Sequence, residues 1–360
     1  MIHLRAGNDI NKGEGGSMEK LHIVLSTNER YMPGATVALV SLAVQAKSDT
    51  DLHFHVFTED VKPESWNLLV ETIMRVHPRS VVENHVCGED ILSGFPVYAG
   101  SRMTWVRCFY SRLLPEVDWA LYLDCDVLYL ASPEEHFSYR DENVYACVAK
   151  DMSPNSSAGD IPWARKNCGV ELSADRYFNA GIMLFNFRKF REDGIPEKIA
   201  AFIREHPDGY YADQTAMNVI FQQMEQQTGK ECYKMIPTRF DHLQIYLDDT
   251  ALSARPVIHY VNGIPWLPKI ATVANGRFDL WHAFADKYIW QKKGESCRRL
   301  FPYHVLLFKR LEYVLLTTPM LHGLFAFGLM LLGKRRCMKR WEWAMVGSDV
   351  SRAAIESAVG

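Results

Sequence analysis

The sequence predicts an α/β fold: a mixed, mostly parallel sheet with helices on both faces. Three observations carry that expectation. Short apolar runs of strand length alternate with longer helical stretches from residue 21 onward, which is the pattern of βαβ units. The opening run, "LHIVLS", is nearly continuous in apolar residues, as strands covered on both faces tend to be. A chain of 360 residues that is 48% hydrophobic and 12% aromatic can also bury a sizeable core.

The elements follow in order. Residues 1–20, "MIHLRAGNDINKGEGGSMEK", are polar, Gly-rich and lack a signal-peptide core, so they read as a flexible tail. "LHIVLS" (21–26) is a strand and "GATVALVSLAVQA" (34–46) an apolar helix. "LHFHVFT" (52–58) is a second strand, "PESWNLLVETIMRV" (63–76) a second helix and "SVVENHV" (80–86) a third strand. "MTWVRCFYSRLL" (103–114) looks helical, and "WALYLD" is the next strand. "VYACVAKD" (144–151) and "FNAGIMLFNF" (178–187) are strands, "ADQTAMNVIFQQM" (212–224) is a helix, and "CYKMIP" and "PVIHYV" are short late strands. Residues 21–270 thus form one α/β domain, whose ligands belong beyond the carboxyl ends of the strands.

The C-terminal part differs. "EYVLLTTPMLHGLFAFGLMLLGKRRCMKRW" has no charge between Glu312 and Lys334. Basic residues flank it: Arg298, Arg299, Lys309 and Arg310 before, Lys334, Arg335, Arg336, Lys339 and Arg340 after. Thr317, Thr318, Pro319 and His322 interrupt the apolar run, so 313–333 is expected to lie on an anionic membrane surface rather than to span it. Residues 271–345 are then a basic, apolar helical extension, and 346–360 a tail. The net charge of −3 provides no global attraction to nucleic acid. Eight cysteines without any C-x-x-C point to reduced thiols and a cytoplasmic setting.

Chemistry first appears in "ALYLDCDVLYLASP" (120–133). An extended Asp124-Cys125-Asp126 presents two carboxylates on one face, with Cys125 facing away. Paired carboxylates repel unless a proton or cation lies between them, and as hard oxygen ligands they suit Mg²⁺ or Mn²⁺. The pattern alone is weak, since Asp49 and Asp51 make a second D-x-D in what reads as a solvated turn.

Read together, "IVLSTNERY", the helix of Arg107, "LYLDCDV", "YFNAGIMLFN", "ADQTAMN" and "HYVNGIPW" resemble glycosyltransferase family 8 over residues 21–268. That resemblance implies a GT-A fold and a retaining enzyme related to the bacterial lipopolysaccharide galactosyl- and glucosyltransferases. It implies Mn²⁺, with Mg²⁺ as substitute, held by Asp124, Asp126 and His259. An imidazole beside two carboxylates suits Mn²⁺ better than the all-oxygen shell that Mg²⁺ prefers. It implies a UDP-hexose donor, galactose or glucose, contacted by Thr27, Asn28, Tyr31, Cys125, Asp151, Asn179, Ala180, Asn262 and Gly263. It assigns Arg107, with Arg112 as a competing candidate, and Asp213 and Gln214 to the reaction centre, with Gln214 nearest the anomeric carbon. The acceptor it implies is a saccharide or glycolipid, and with the basic apolar segment this gives an enzyme peripheral on the cytoplasmic face of the inner membrane.

One departure stands out. The family commonly reads H-x-x-G-x-x-K-P-W, whereas this chain has "HYVNGIPW", one residue shorter, with Ile264 before Pro265-Trp266. The cation expected near the diphosphate is missing there, unless Lys269 folds back. Two rival readings follow. "DCDVL" also fits the D-x-D-x-[TV] of haloacid-dehalogenase phosphatases, although that motif closes the first strand of its fold and here at least three strands precede it. The absent lysine alternatively fits a UDP-sugar-binding protein without catalysis.

Overall fold

A computed structural model describes residues 20–88, 93–97, 101–209, 211–261, 264–266, 276–290 and 350–360. Its seven-stranded sheet contains β1 (Lys20–Asn28), β2 (Asp51–Glu59), β3 (Val81–Val86), β4 (Trp119–Leu123), β6 (Ala146–Lys150), β7 (Phe178–Asn186) and β8 (Tyr233–Ile236), in the order β3-β2-β1-β4-β7-β6-β8. Neighbours pair parallel except where β7 inserts antiparallel between β4 and β6. A second sheet of three short strands, β5 (Val127–Tyr129), β9 (His242–Leu243) and β10 (Val257–His259), has the order β5-β10-β9.

The helices are α1 (Met32–Gln45), α2 (Pro63–Val76), α3 (Tyr110–Leu113), α4 (Pro133–Phe137), α5 (Pro154–Cys168), α6 (Phe187–Glu192), α7 (Ile195–Glu205), α8 (Asp213–Thr228) and α9 (Asp249–Ser253). On one sheet face Ile23, Leu25, Phe54 and Val56 share a core with Val37 and Leu42 of α1 and with Leu69 and Ile73 of α2. On the other, Val24, Phe57 and Tyr122 share a core with Tyr110, Phe187 and Phe221. Strand residues alternate between these cores because successive side chains point to opposite faces.

Several expectations change. Residues 103–114 split into a 3₁₀ segment, Met103–Cys108, and the single turn of α3. Helices α5, α6 and α7 had no counterpart in the sequence reading. The core does not stop near residue 270: helix Gly276–Tyr288 brings Phe278, Leu280, Trp281 and Phe284 into the cluster that holds α1. α1 is therefore covered on two sides, which explains why it is apolar nearly all round.

Within the expected tail 346–360, residues Arg352–Val359 form a helix. The Lys287 ammonium donates to the carbonyls of Val359 and Gly360 at 2.8 and 3.0 Å, where a cation meets the negative end of a helix dipole. Residues 1–19 and 291–349, which include the apolar segment 313–333, lie outside the described residues. Among the described residues no helix is long and apolar enough to cross a membrane, and the six described cysteines are free thiols.

Candidate active site

The aspartate pair does not sit on a strand. β4 ends at Leu123 and β5 begins at Val127, so Asp124, Cys125 and Asp126 form the turn between them. The extended geometry expected from the apolar flanks is thereby corrected: the chain leaves the large sheet for the small one at this point. Three backbone interactions fix the turn. The Asp124 N–H donates to the Gly181 carbonyl of β7 at 2.7 Å, and the Tyr260 N–H donates to the Asp126 carbonyl at 2.8 Å. β10 pairs antiparallel with β5, which sets His259 opposite Val127. The buried Cys125 thiol turns inward, donating to the Ser26 carbonyl at 3.4 Å.

This wiring brings the three expected ligands together. His259 Nε2 lies 3.3 Å from Asp126 Oδ1 and 3.7 Å from Asp124 Oδ2, and one donor atom from each of the three residues falls within 4.8 Å of the others. On its other side, His259 Nδ1 meets the buried Asp241 carboxylate at 3.0 Å. With Nδ1–H donating there, Nε2 points at the two aspartates, and a cation that displaces its proton would meet the Nε2 lone pair. Burial would lower the histidine's pKa, yet Asp241 and Asp126 hold it well above the ordinary imidazole value. Burial pushes Asp241 up to about 6, with His259 pulling it down. Two carboxylates and one imidazole gathered in this way could hold a divalent cation.

Gly181 makes the closure possible. A Cβ on it would collide with the His259 ring and come within 2.8 Å of Asp124 Oδ2. This small residue of β7 thus makes room for the three side chains to approach one another. Gly34 of α1 plays a similar part, since a Cβ there would meet the Trp266 ring and lie 2.5 Å from the Cys125 carbonyl.

A second layer of charge surrounds the acids. Arg107 is 8% exposed and its guanidinium is fully engaged. Nη2 donates to Asp124 Oδ1 at 2.7 Å, Nη1 to the Ala180 carbonyl at 2.8 Å, and Nε to the Thr104 carbonyl at 3.1 Å. Nη1 also lies 3.1 Å from Asp213 Oδ2. Its plane sits over the Tyr122 ring, and the Tyr122 hydroxyl donates to Asp124 Oδ1. Asp213 Oδ1 accepts from the Thr104 hydroxyl at 2.9 Å. Burial raises the Asp213 carboxyl, with Arg107 pulling the other way.

Gln214 is pinned at three points. Its Nε2 donates to Asp151 Oδ2 at 3.0 Å and to the Tyr177 hydroxyl at 3.2 Å, while its Oε1 accepts from the Ala180 N–H at 3.1 Å. Asp151 Oδ1 accepts from the Ser153 N–H at 2.7 Å. The Tyr177 and Thr215 hydroxyls both donate to the buried Asp160 Oδ2, at 2.5 and 2.7 Å. Asn179 Oδ1 accepts from the Gly181 N–H at 2.8 Å.

Thr27, Asn28 and Tyr31 lie at and just beyond the end of β1. Asn28 Oδ1 is buried with no hydrogen-bond partner among the described residues, an acceptor that a ligand N–H could satisfy. Tyr31 packs edge-on against Trp266 at 5.9 Å, and Trp266 Nε1–H donates to the Arg30 carbonyl at 3.0 Å. Asn262, Gly263 and Lys269 lie outside the described residues.

The structure therefore joins Asp124, Asp126, His259, Arg107, Asp213, Gln214, Asp151, Asn179 and Ala180 into one network. Sequence reasoning missed Asp241, Tyr122, Thr104, Tyr177 and Asp160. Asp241 sits in "TRFDHLQ", which carries no periodic signal, and only the pairing of β9 with β10 brings it near His259.

Comparison with known proteins supplies independent findings. The sequence model described as "Glycosyl transferase family 8" matches residues 22–269. General stress protein A of Bacillus subtilis is 23% identical over 56% of this chain and 69% of its own length. The lipopolysaccharide 1,2-glucosyltransferase of Escherichia coli is 24% identical over 57% of this chain and 60% of its own. Among solved structures, the galactosyltransferase LgtC with donor and acceptor sugar analogues superposes with a TM-score of 0.60 at 20% identity, covering 78% of this chain and all (100%) of that one. That likeness shows the fold, a mixed α/β architecture of the GT-A type.

Proposed function

As the chain belongs to glycosyl transferase family 8, we propose that it moves a hexose, galactose or glucose, from a UDP-sugar to a saccharide hydroxyl with retention. The observation that carries this reading is the convergence of Asp124, Asp126 and His259 on one small volume beside the buried Asp213 and Gln214. A divalent cation held by those three side chains, Mn²⁺ by the donor set, would offset charge on the departing diphosphate.

The protein's own groups define the rest. Arg107 fixes the directions of Asp124 and Asp213, and so positions the acids rather than offering a free cation. Asp213 is tied to Thr104 and Arg107, and Asp151 to Ser153 and Gln214. Both carboxylates are held in place by these partners rather than aimed into open space, and the Gln214 amide is a weak nucleophile, unlike the carboxylate that retaining glycosidases use. These constraints favour attack on the donor's own face. The acceptor oxygen bonds to the anomeric carbon as its bond to the phosphate oxygen breaks, and the acceptor proton passes to UDP. A sugar trapped covalently on Asp213 or Asp151 would overturn this order of events.

The acceptor fits a lipid-linked glycan such as a lipopolysaccharide core, reached by a peripheral enzyme whose 313–333 segment rests on the cytoplasmic face of the membrane. A panel of nucleotide sugars with Mn²⁺, scored for released nucleotide, tests the reading. UDP-galactose or UDP-glucose should be turned over, and Asp126→Ala or chelation should abolish it. Turnover indifferent to both removes the proposal, while phosphatase activity without nucleotide sugar would restore the phosphatase reading.

A further inference from the structure

Four histidines and one glutamate meet on the first three strands: His22 of β1, His53 and His55 of β2, and Glu83 and His85 of β3. Residues two apart on a strand share a face, and the parallel register sets His22 against His53 and His55 against Glu83. All five therefore project from the sheet face that also carries Phe57, against which His85 stacks at 4.6 Å.

We propose that His55, Glu83 and His85 form a second cation site, for a late first-row divalent metal with zinc as its prototype. His55 Nδ1 lies 3.2 Å from His85 Nε2 and 3.4 Å from Glu83 Oε2, and His85 Nε2 lies 3.6 Å from Glu83 Oε2. Zinc takes nitrogen and oxygen ligands at about 2.0–2.2 Å in a tetrahedron, whose edges are then roughly 3.3–3.6 Å. Two imidazoles and one carboxylate are a ligand set that zinc uses where a fourth position stays open. Solvent can supply that position, since the Glu83 and His85 side chains are 41% and 29% exposed.

The remaining two histidines form the outer layer such a site needs. His55 Nε2 is 2.9 Å from His22 Nδ1; a proton shared there leaves the His55 Nδ1 lone pair turned toward Glu83 and His85. The second glutamate oxygen lies 3.2 Å from His53 Nε2.

The site uses none of the residues of the transferase proposal, and its test is independent of that reading. Full-length protein carrying Asp126→Asn, stripped with chelator, is titrated with Zn²⁺ by calorimetry and with Co²⁺ by visible absorption. One ion per chain should bind at this site, with the intense absorption of four-coordinate Co²⁺. His85→Asn, on the exposed edge of the sheet, should weaken that event by more than 100-fold, and His22→Asn, acting through His55, by roughly 10–100-fold. Absence of uptake, or uptake that His85→Asn leaves unchanged, overturns the proposal. Should His85→Asn not fold, the unsubstituted chain decides: Zn²⁺ should protect His85, the more exposed of the two histidine ligands, from diethylpyrocarbonate, and unprotected labelling overturns the site.

Discussion

At the scale of single residues, Gly181 decides whether the ligand set can close. Its Cβ-less position lies against both His259 and Asp124, and a methyl group must displace one of them. Gly181→Ala is expected to weaken Mn²⁺ binding by at least tenfold, read by spin-resonance titration, and to abolish sugar transfer. Unchanged affinity would mean that the two side chains need not hold one ion together. Asp160 makes a prediction of opposite kind. Burial raises its carboxyl from 3.8 to about 6, against the bonds from Tyr177 and Thr215. The folded state then binds the proton more tightly than the unfolded one, so this stabilisation is complete below the unfolded value and lost as pH rises through about 6. Two pH units correspond to about 3 kcal/mol. Asp160→Asn keeps an acceptor for both hydroxyls, so it should gain stability relative to the native protein as pH rises from 4 to 7. Urea midpoints at the two ends of that window check it, and a constant difference between the two proteins contradicts it.

At the scale of elements, the start of α8 carries the strain. Ala212, its N-cap, has φ +53° and ψ −117°, a conformation that costs a non-glycine residue about 1–3 kcal/mol. The strained step delivers Asp213 and Gln214 to the site at once. Ala212→Gly is expected to stabilise the fold by about 1 kcal/mol, once the entropy glycine adds to the unfolded chain is deducted. It should also lower kcat, because the two side chains become less fixed. Thermal melts and steady-state rates test the pair of effects; a stability loss would show that Ala212 is unstrained. The same scale shows what sequence could reveal. α2 was legible to the residue because Pro63 opens it and its apolar positions keep helical spacing. α5 was not: "PNSSAGDIPWARKNC" holds Gly159 and Pro162, both poor in helix interiors. Tertiary packing overrides that, as Ala164 shares a cluster with Val170, Tyr177 and Val219. The aspartate turn was misread because two apolar runs joined by polar residues look alike whether the chain continues or bends.

At the scale of the whole molecule, the large sheet was legible, and of the small one only β10, which "PVIHYV" marked. β5 and β9, three and two residues long, carry no readable period, yet with β10 they bring His259 and Asp241 to the acids. Sequence could name His259 through a family resemblance but could not show why it arrives. The C-terminal region is a case where composition alone makes a physical prediction. Lys334, Arg335 and Arg336 follow an uncharged apolar run, and each basic residue near an anionic bilayer contributes about 1 kcal/mol. The full chain should co-sediment with vesicles containing anionic lipid and poorly with purely zwitterionic ones. Raising salt from 0.1 to 1 M shortens the screening length from about 10 to about 3 Å, and should release it. Replacing those three residues with glutamine should weaken binding by roughly 100-fold, the equivalent of about 3 kcal/mol. Binding that ignores both lipid charge and salt would mean the apolar run inserts into the bilayer and dominates. No binding to either vesicle would remove the membrane from this protein's function and leave a soluble saccharide as the better acceptor.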